Sequence, residues 1–208
     1  MGACCRSCSE TAEGMTARYR RVLTAVLVIN AIMFVVESIW SLIAGSTALQ
    51  ADALDFLADT FTYGLTLSVL DSAPDVRARA ALFKGGSLGA MAFLVLAAAT
   101  WRAIAAVPPE PETMGVIAVL ALTANFTSVL LLYRFRDGDA NMASVWQCSR
   151  NDAIGNLAVI AAAIGVTVSG SVWPDIAVAV AMAGLFLGSC RKICRRALGE
   201  LESLEIPG

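Results

Sequence analysis

Four side chains form two matched pairs. Asp55 and Asp59 stand four residues apart, and so do Cys148 and Asp152. On a helix, residues at i and i+4 stack on one face. Each pair therefore presents two ligand-type groups side by side. Three carboxylates and one thiolate can surround a divalent transition-metal ion tetrahedrally. Both pairs sit in apolar sequence, ADALDFLAD (51–59) and CSRND (148–152). An ionised carboxylate within hydrocarbon costs on the order of several kcal/mol. A bound cation offsets that cost and the mutual repulsion of the carboxylates, and protons do so when the cation is gone.

Further polar residues accompany the pairs. Asp52 falls within an arc of roughly 60° with Asp55 and Asp59. It is read either as an accessory ligand or as the cap of its own helix. Glu37 serves an exit path or packs at the membrane interface. Asn156 continues the Cys148–Asp152 face and supports the ligands from behind. Asn30 and Asn125 read as hydrogen-bonding groups between helices. Arg150 is about 200° around the helix from Cys148 and points away from it.

The elements that must position these groups are helices. The chain has 208 residues, 58% of them hydrophobic and 15% charged, with a net charge of -2. A soluble domain is about 45–50% apolar. The mean hydropathy of +0.71 agrees with an all-α membrane protein. Six runs are long enough to cross, at roughly 20–44, 47–70, 80–107, 112–133, 141–169 and 173–194. The breaks between them are GST, the charged loop DSAPDVRAR, the proline-rich VPPEPE, RFRDGD and SGSVWPD. A cytosolic tail (1–17) precedes this six-helix transport domain (18–196), and a short cytosolic tail (197–208) follows.

Orientation follows from the basic residues. Of the 15 lysines and arginines, all but Arg102 and Arg150 fall on one side of six crossings. Both termini are therefore expected in the cytoplasm. Trp40, Trp101 and Trp173 fall near the outer boundary, as an aromatic belt does. Counting 1.5 Å per residue, Asp59 and Cys148 lie about 12 Å from the inner boundary. Asp55 and Asp152 lie about 18 Å from it. The two antiparallel spans thus bring four ligand-type groups together near mid-membrane.

There are six cysteines and no histidine. Cys4, Cys5 and Cys8 lie in the N-terminal tail, and Cys190 and Cys194 end the sixth run. In a reducing cytoplasm these thiols stay free. Two readings remain for them: a surface that captures soft cations, or reduced thiols among basic membrane-flanking residues. No apolar core precedes residue 22, so the N-terminus does not read as a signal peptide.

These residues resemble the cation diffusion facilitator family of divalent-metal/proton antiporters. Glu37 followed by GSTALQADALDFLAD is similar to that family's first and second helices. CSRNDAIGNLAVIAAAIG is similar to its fifth helix, and WPDIAVAVAMAG to the start of its sixth. The resemblance implies a six-helix bundle, usually a homodimer, and a ligand set of Asp55, Asp59, Cys148 and Asp152. Cys148 stands where histidine is common in the family. The chain is expected to be a short member without the cytosolic C-terminal domain that many members carry. The resemblance places it in the bacterial inner membrane.

A thiolate among carboxylates favours Zn²⁺ and Cd²⁺ over Mg²⁺ and Ca²⁺, with Mn²⁺, Fe²⁺ and Co²⁺ admitted by the oxygens. Metal binding displaces protons from the thiol and from protonated carboxyls, which couples export of metal to entry of protons. No cofactor and no nucleic acid are implied. A soft-metal importer on the same fold is one alternative. A metal-dependent membrane transferase is another, but NDAIGN lacks the second acidic residue of an Asn-Asp-x-x-Asp box, so no enzyme is expected.

Overall fold

Apolar runs of this length fold as helices because hydrocarbon offers backbone groups no other partner. The computed structural model describes residues 3–69, 74–136 and 140–205. Six α-helices follow in order: α1 (Ala3–Ala44), α2 (Thr47–Val69), α3 (Pro74–Ala105), α4 (Pro111–Leu132), α5 (Ala140–Ser169) and α6 (Trp173–Glu205). A 3₁₀ turn, Tyr133–Phe135, extends α4. No strand occurs among the described residues. The protein is an all-α, multi-pass membrane bundle.

The helix ends obey local chemistry. Pro74 and Pro111 begin α3 and α4, where a missing N–H costs nothing. Glu110 caps α4 by accepting from the N–H groups of Glu112 and Thr113, at 3.2 and 2.6 Å. Asp75 lies in the first turn of α3, not in a charged loop as expected from DSAPDVRAR, and Asp71 falls outside the described residues. Two helices run further than the apolar pattern. α1 begins at Ala3, so the N-terminal tail continues the first crossing as helix. α6 continues to Glu205, beyond the expected end at residue 194.

Among the described residues, five helices are long and apolar enough to cross a membrane. The exception is α2, which has the length at 23 residues but carries Asp52, Asp55 and Asp59. Packing explains how it is tolerated. α2 meets α1, α3, α5 and α6, so its polar face is turned to protein. The strongest pairings are α3 with α6, α1 with α2 and α4 with α5. The core is rich in alanine, with Ala48, Ala51, Ala92, Ala118, Ala179 and Ala183 all fully buried. Small side chains let helix backbones approach closely, which is how helices associate where water supplies no driving force. The outer surface bears Leu42, Phe93, Trp101, Ile104 and Val168, all largely exposed, as a lipid-facing surface requires.

Most of the basic residues lie toward one end of the bundle, here the basic end. At the opposite end Gly45 turns the chain from α1 into α2 with φ +65°, a conformation that favours glycine. Arg102 of α3 lies against it, and a Cβ at Gly45 would stand 2.5 Å from Arg102 Nη2. The positive φ disfavours a larger residue here, whereas the Arg102 guanidinium, at the end of a flexible side chain, can move aside.

Candidate metal site

The site is built on α2. Its residues Asp52, Asp55, Asp59 and Tyr63 follow one another at i+3, i+4 and i+4, so they form one polar column along a helix face. Asp52 is buried five residues into α2, which rules out the cap role considered for it. Asp59 is buried, and Asp55 and Asp152 are half-buried. Asp55, Asp59 and Asp152 line a single cavity of about 480 Å³, together with Thr62, Asn151 and Lys84. The carboxyl of Asp152 on α5 lies beside those of Asp55 and Asp59 on α2 and interacts with both. An ionised carboxylate only accepts hydrogen bonds. Each such contact therefore needs a proton or a cation between the oxygens.

The backbone of Cys148 belongs to α5, but its side chain lies outside the described residues, as do those of Cys4, Cys5 and Cys8. Among the described residues no three Asp, Glu, Cys or His side chains converge as a metal cage. The three aspartates share a cavity without pointing at one centre.

Sequence reasoning missed several neighbours. Tyr63, fully buried one turn from Asp59, donates a hydrogen bond to Asp59 Oδ2. The same hydroxyl meets Ser149 Oγ of α5 at 3.2 Å. A polar bridge thus crosses from α2 to α5 on the basic-end side of the aspartates. The i+4 spacing of Tyr63 from Asp59 was a readable signal for it. Lys84 of α3 lines the cavity, and its positive charge acts on both Asp55 and Asp59. It places a positive charge beside these carboxyls.

The start of α2 is held from α6. Asp175, fully buried, accepts from Ser46 Oγ at 2.6 Å, Thr47 N–H at 2.8 Å and Ala48 N–H at 3.0 Å, and from Thr47 Oγ1. Ser46 Oγ in turn accepts from Leu49 N–H at 3.0 Å. The N–H groups that open a helix have no partner within it. Here Ser46 and Asp175 satisfy those of Thr47, Ala48 and Leu49, and a negative charge sits at the positive end of the helix dipole. A residue 128 positions away along the chain thus fixes where the aspartate-bearing helix begins.

The remaining expected residues fall in three places. Glu37 of α1 is fully buried, faces the carboxyls of Asp52 and Asp55, and has no donor group bonded to either oxygen. Asn156 is fully buried with neither amide atom bonded. Asn30 bonds back to Val26 O at 2.8 Å within its own helix, where a contact between helices was expected. Arg150 is exposed and reaches Asn151 Oδ1 at 3.3 Å. Cys190 and Cys194 are free thiols inside α6 rather than at its end, and they lie against Gly89 and Gly85 of α3.

Comparison with known proteins adds a family. Residues 76–201, more than half of the chain, match the model of the cation efflux transmembrane domain. Over 174 residues the chain is 29% identical to the metal cation efflux system protein CzcD of Cupriavidus metallidurans. It is equally similar to the cation efflux system protein CzcD of an Alcaligenes species. Each alignment covers 77% of this chain and 54% of the relative, so the chain spans about half the length of the curated relatives it matches.

Proposed function

Because the chain belongs to the cation efflux, or cation diffusion facilitator, family, we propose that it exports Zn²⁺ or Cd²⁺ from the cytoplasm in exchange for protons. The observation that carries this reading is the shared cavity of Asp55, Asp59 and Asp152, placed by two antiparallel membrane helices. In this reading the basic end faces the cytoplasm. The three carboxyls, with the Cys148 thiol, bind the cation and release protons as they do so. Lys84 holds the empty site at lower negative charge and withdraws its influence as the cation enters. The Tyr63–Ser149 bridge orients Asp59 towards the cavity. Rocking of the helices then opens the same site to the opposite face, where protons replace the metal.

Flux in proteoliposomes loaded with a pH-sensitive dye tests the proposal. Zn²⁺ and Cd²⁺ are expected to drive proton movement that Asp59→Ala abolishes. Mg²⁺ is expected to drive none. Metal-driven proton flux that survives in Asp59→Ala removes the site from the mechanism. Growth under metal excess separates export from import, since an exporter protects the cell and an importer sensitises it.

A further inference from the structure

Among the described residues, Oε1 and Oε2 of Glu37 and Oδ2 of Asp52 are buried carboxylate oxygens that no donor group satisfies, and the two carboxyls face one another. Glu37 is 0% exposed and Asp52 is 1% exposed, so solvent does not satisfy them. Buried polar groups are nearly always bonded, and an orphaned set points to an ion or water that belongs there. The two side chains come from different helices, α1 and α2, and act on one another electrostatically. Counted from the α1–α2 turn, Glu37 lies about 10 Å and Asp52 about 8 Å into the bundle.

A third group joins them by register. The contact between Asp55 and Asp152 sets α2 against α5. α2 and α5 run in opposite directions. One turn from that contact, away from the basic end, α2 carries Asp52 and α5 carries Asn156. Both lie on the same faces as the aspartates below them. Asn156 is 0% exposed and both of its amide atoms are unbonded.

We propose that Glu37 and Asp52, with the amide of Asn156, form a second divalent-cation site one helical turn from the mid-membrane aspartates, on the side opposite the basic end. It rests on the function proposed above, as the step through which the metal leaves. Its donors are all oxygens, and its two carboxylates match the charge of one divalent ion. Oxygen-only donors hold a soft cation less well than a site containing a thiolate. A cation passed from Cys148 and its aspartates to Glu37 and Asp52 therefore moves to weaker soft-metal binding, which favours release. The same donors suit Mn²⁺, for which the protein's cysteines compete poorly.

Mn²⁺ binding to purified protein, read by electron paramagnetic resonance, tests this. Asp59→Ala disables the mid-membrane site and is expected to retain one bound Mn²⁺ per chain. Adding Glu37→Gln or Asp52→Asn to that variant is expected to lower this affinity at least tenfold. Both substitutions keep the side-chain shape, and elution as a single species confirms folding. Loss of all Mn²⁺ from Asp59→Ala, or retention of it in both double variants, overturns the second site. In the latter case the retained ion belongs to other donors, and Glu37 and Asp52 hold only protons or water. The outcome is independent of the function proposed above, which stands or falls on proton flux in Asp59→Ala alone.

Discussion

Asp175→Ala removes every acceptor that α6 offers to the start of α2. The N–H groups of Thr47 and Ala48 lose their partner in a fully buried place. Each buried orphan donor costs about 1–3 kcal/mol. The hydroxyls of Ser46 and Thr47 also lose a charged acceptor, but they can turn to other oxygens and add less. The favourable interaction of the carboxylate with the helix dipole, about 1 kcal/mol, is lost too. The sum is about 4 kcal/mol. For a chain of this size that corresponds to a fall in Tm of about 10 °C. Thermal unfolding in detergent, followed by circular dichroism, measures it. Asp175→Asn keeps one carbonyl acceptor and is expected to lose about half as much. Ser46→Ala removes only the acceptor for Leu49 N–H and one donor to Asp175, at about 1 kcal/mol. Thr47→Val combined with Asp175→Asn is expected to cost less than the sum of the two, because they share a contact. A Tm for Asp175→Ala within about 2 °C of the wild type would refute the capping argument. Since α2 carries Asp55 and Asp59, metal flux is expected to fall along with stability.

Three further outcomes follow from the site. Cys148→Ser is expected to reduce the preference for Cd²⁺ over Mn²⁺ by about tenfold, since it removes the soft donor and leaves the oxygens; competition binding reads the ratio, and an unchanged ratio removes Cys148 from the ligand set. Tyr63→Phe deletes the hydroxyl between Asp59 and Ser149 and is expected to destabilise the bundle by about 1–2 kcal/mol, which denaturation in detergent detects. Lys84→Gln removes a positive charge from the cavity and is expected to tighten Zn²⁺ binding about fivefold, or about 1 kcal/mol; calorimetric titration that shows equal or weaker binding would refute the electrostatic role.

The features legible in the sequence are those set by local geometry. Apolar runs about 20 residues long mark crossings because membrane thickness and helix rise are fixed. The i,i+4 pairs were readable because four residues return a helix to the same face. Asp55 on α2 and Asp152 on α5, which the sequence sets at equal counts from one end of the bundle, line the same cavity. Where helices end was less legible, because α1 and α6 continue as helix beyond the hydrocarbon, where apolar patterning gives no signal.

What tertiary structure alone decided depends on which helices touch. The aspartates of α2 are tolerable because that helix meets α1, α3, α5 and α6, and its own composition does not say so. Asp175 reads as a polar residue in the first turn of α6, yet its partners lie in Ser46, Thr47 and Ala48. Lys84 looked like one more basic residue after the second crossing, but with α3 packed against α2 it lines the cavity. Glu37 and Asn156 show the same limit. Hydropathy and spacing place each on its helix, but burial without a partner appears only once α1, α2 and α5 are packed together. Sequence determines the period and length of each helix because those are properties of one backbone. Contacts between helices depend on packing between segments far apart in the chain, which no local pattern encodes.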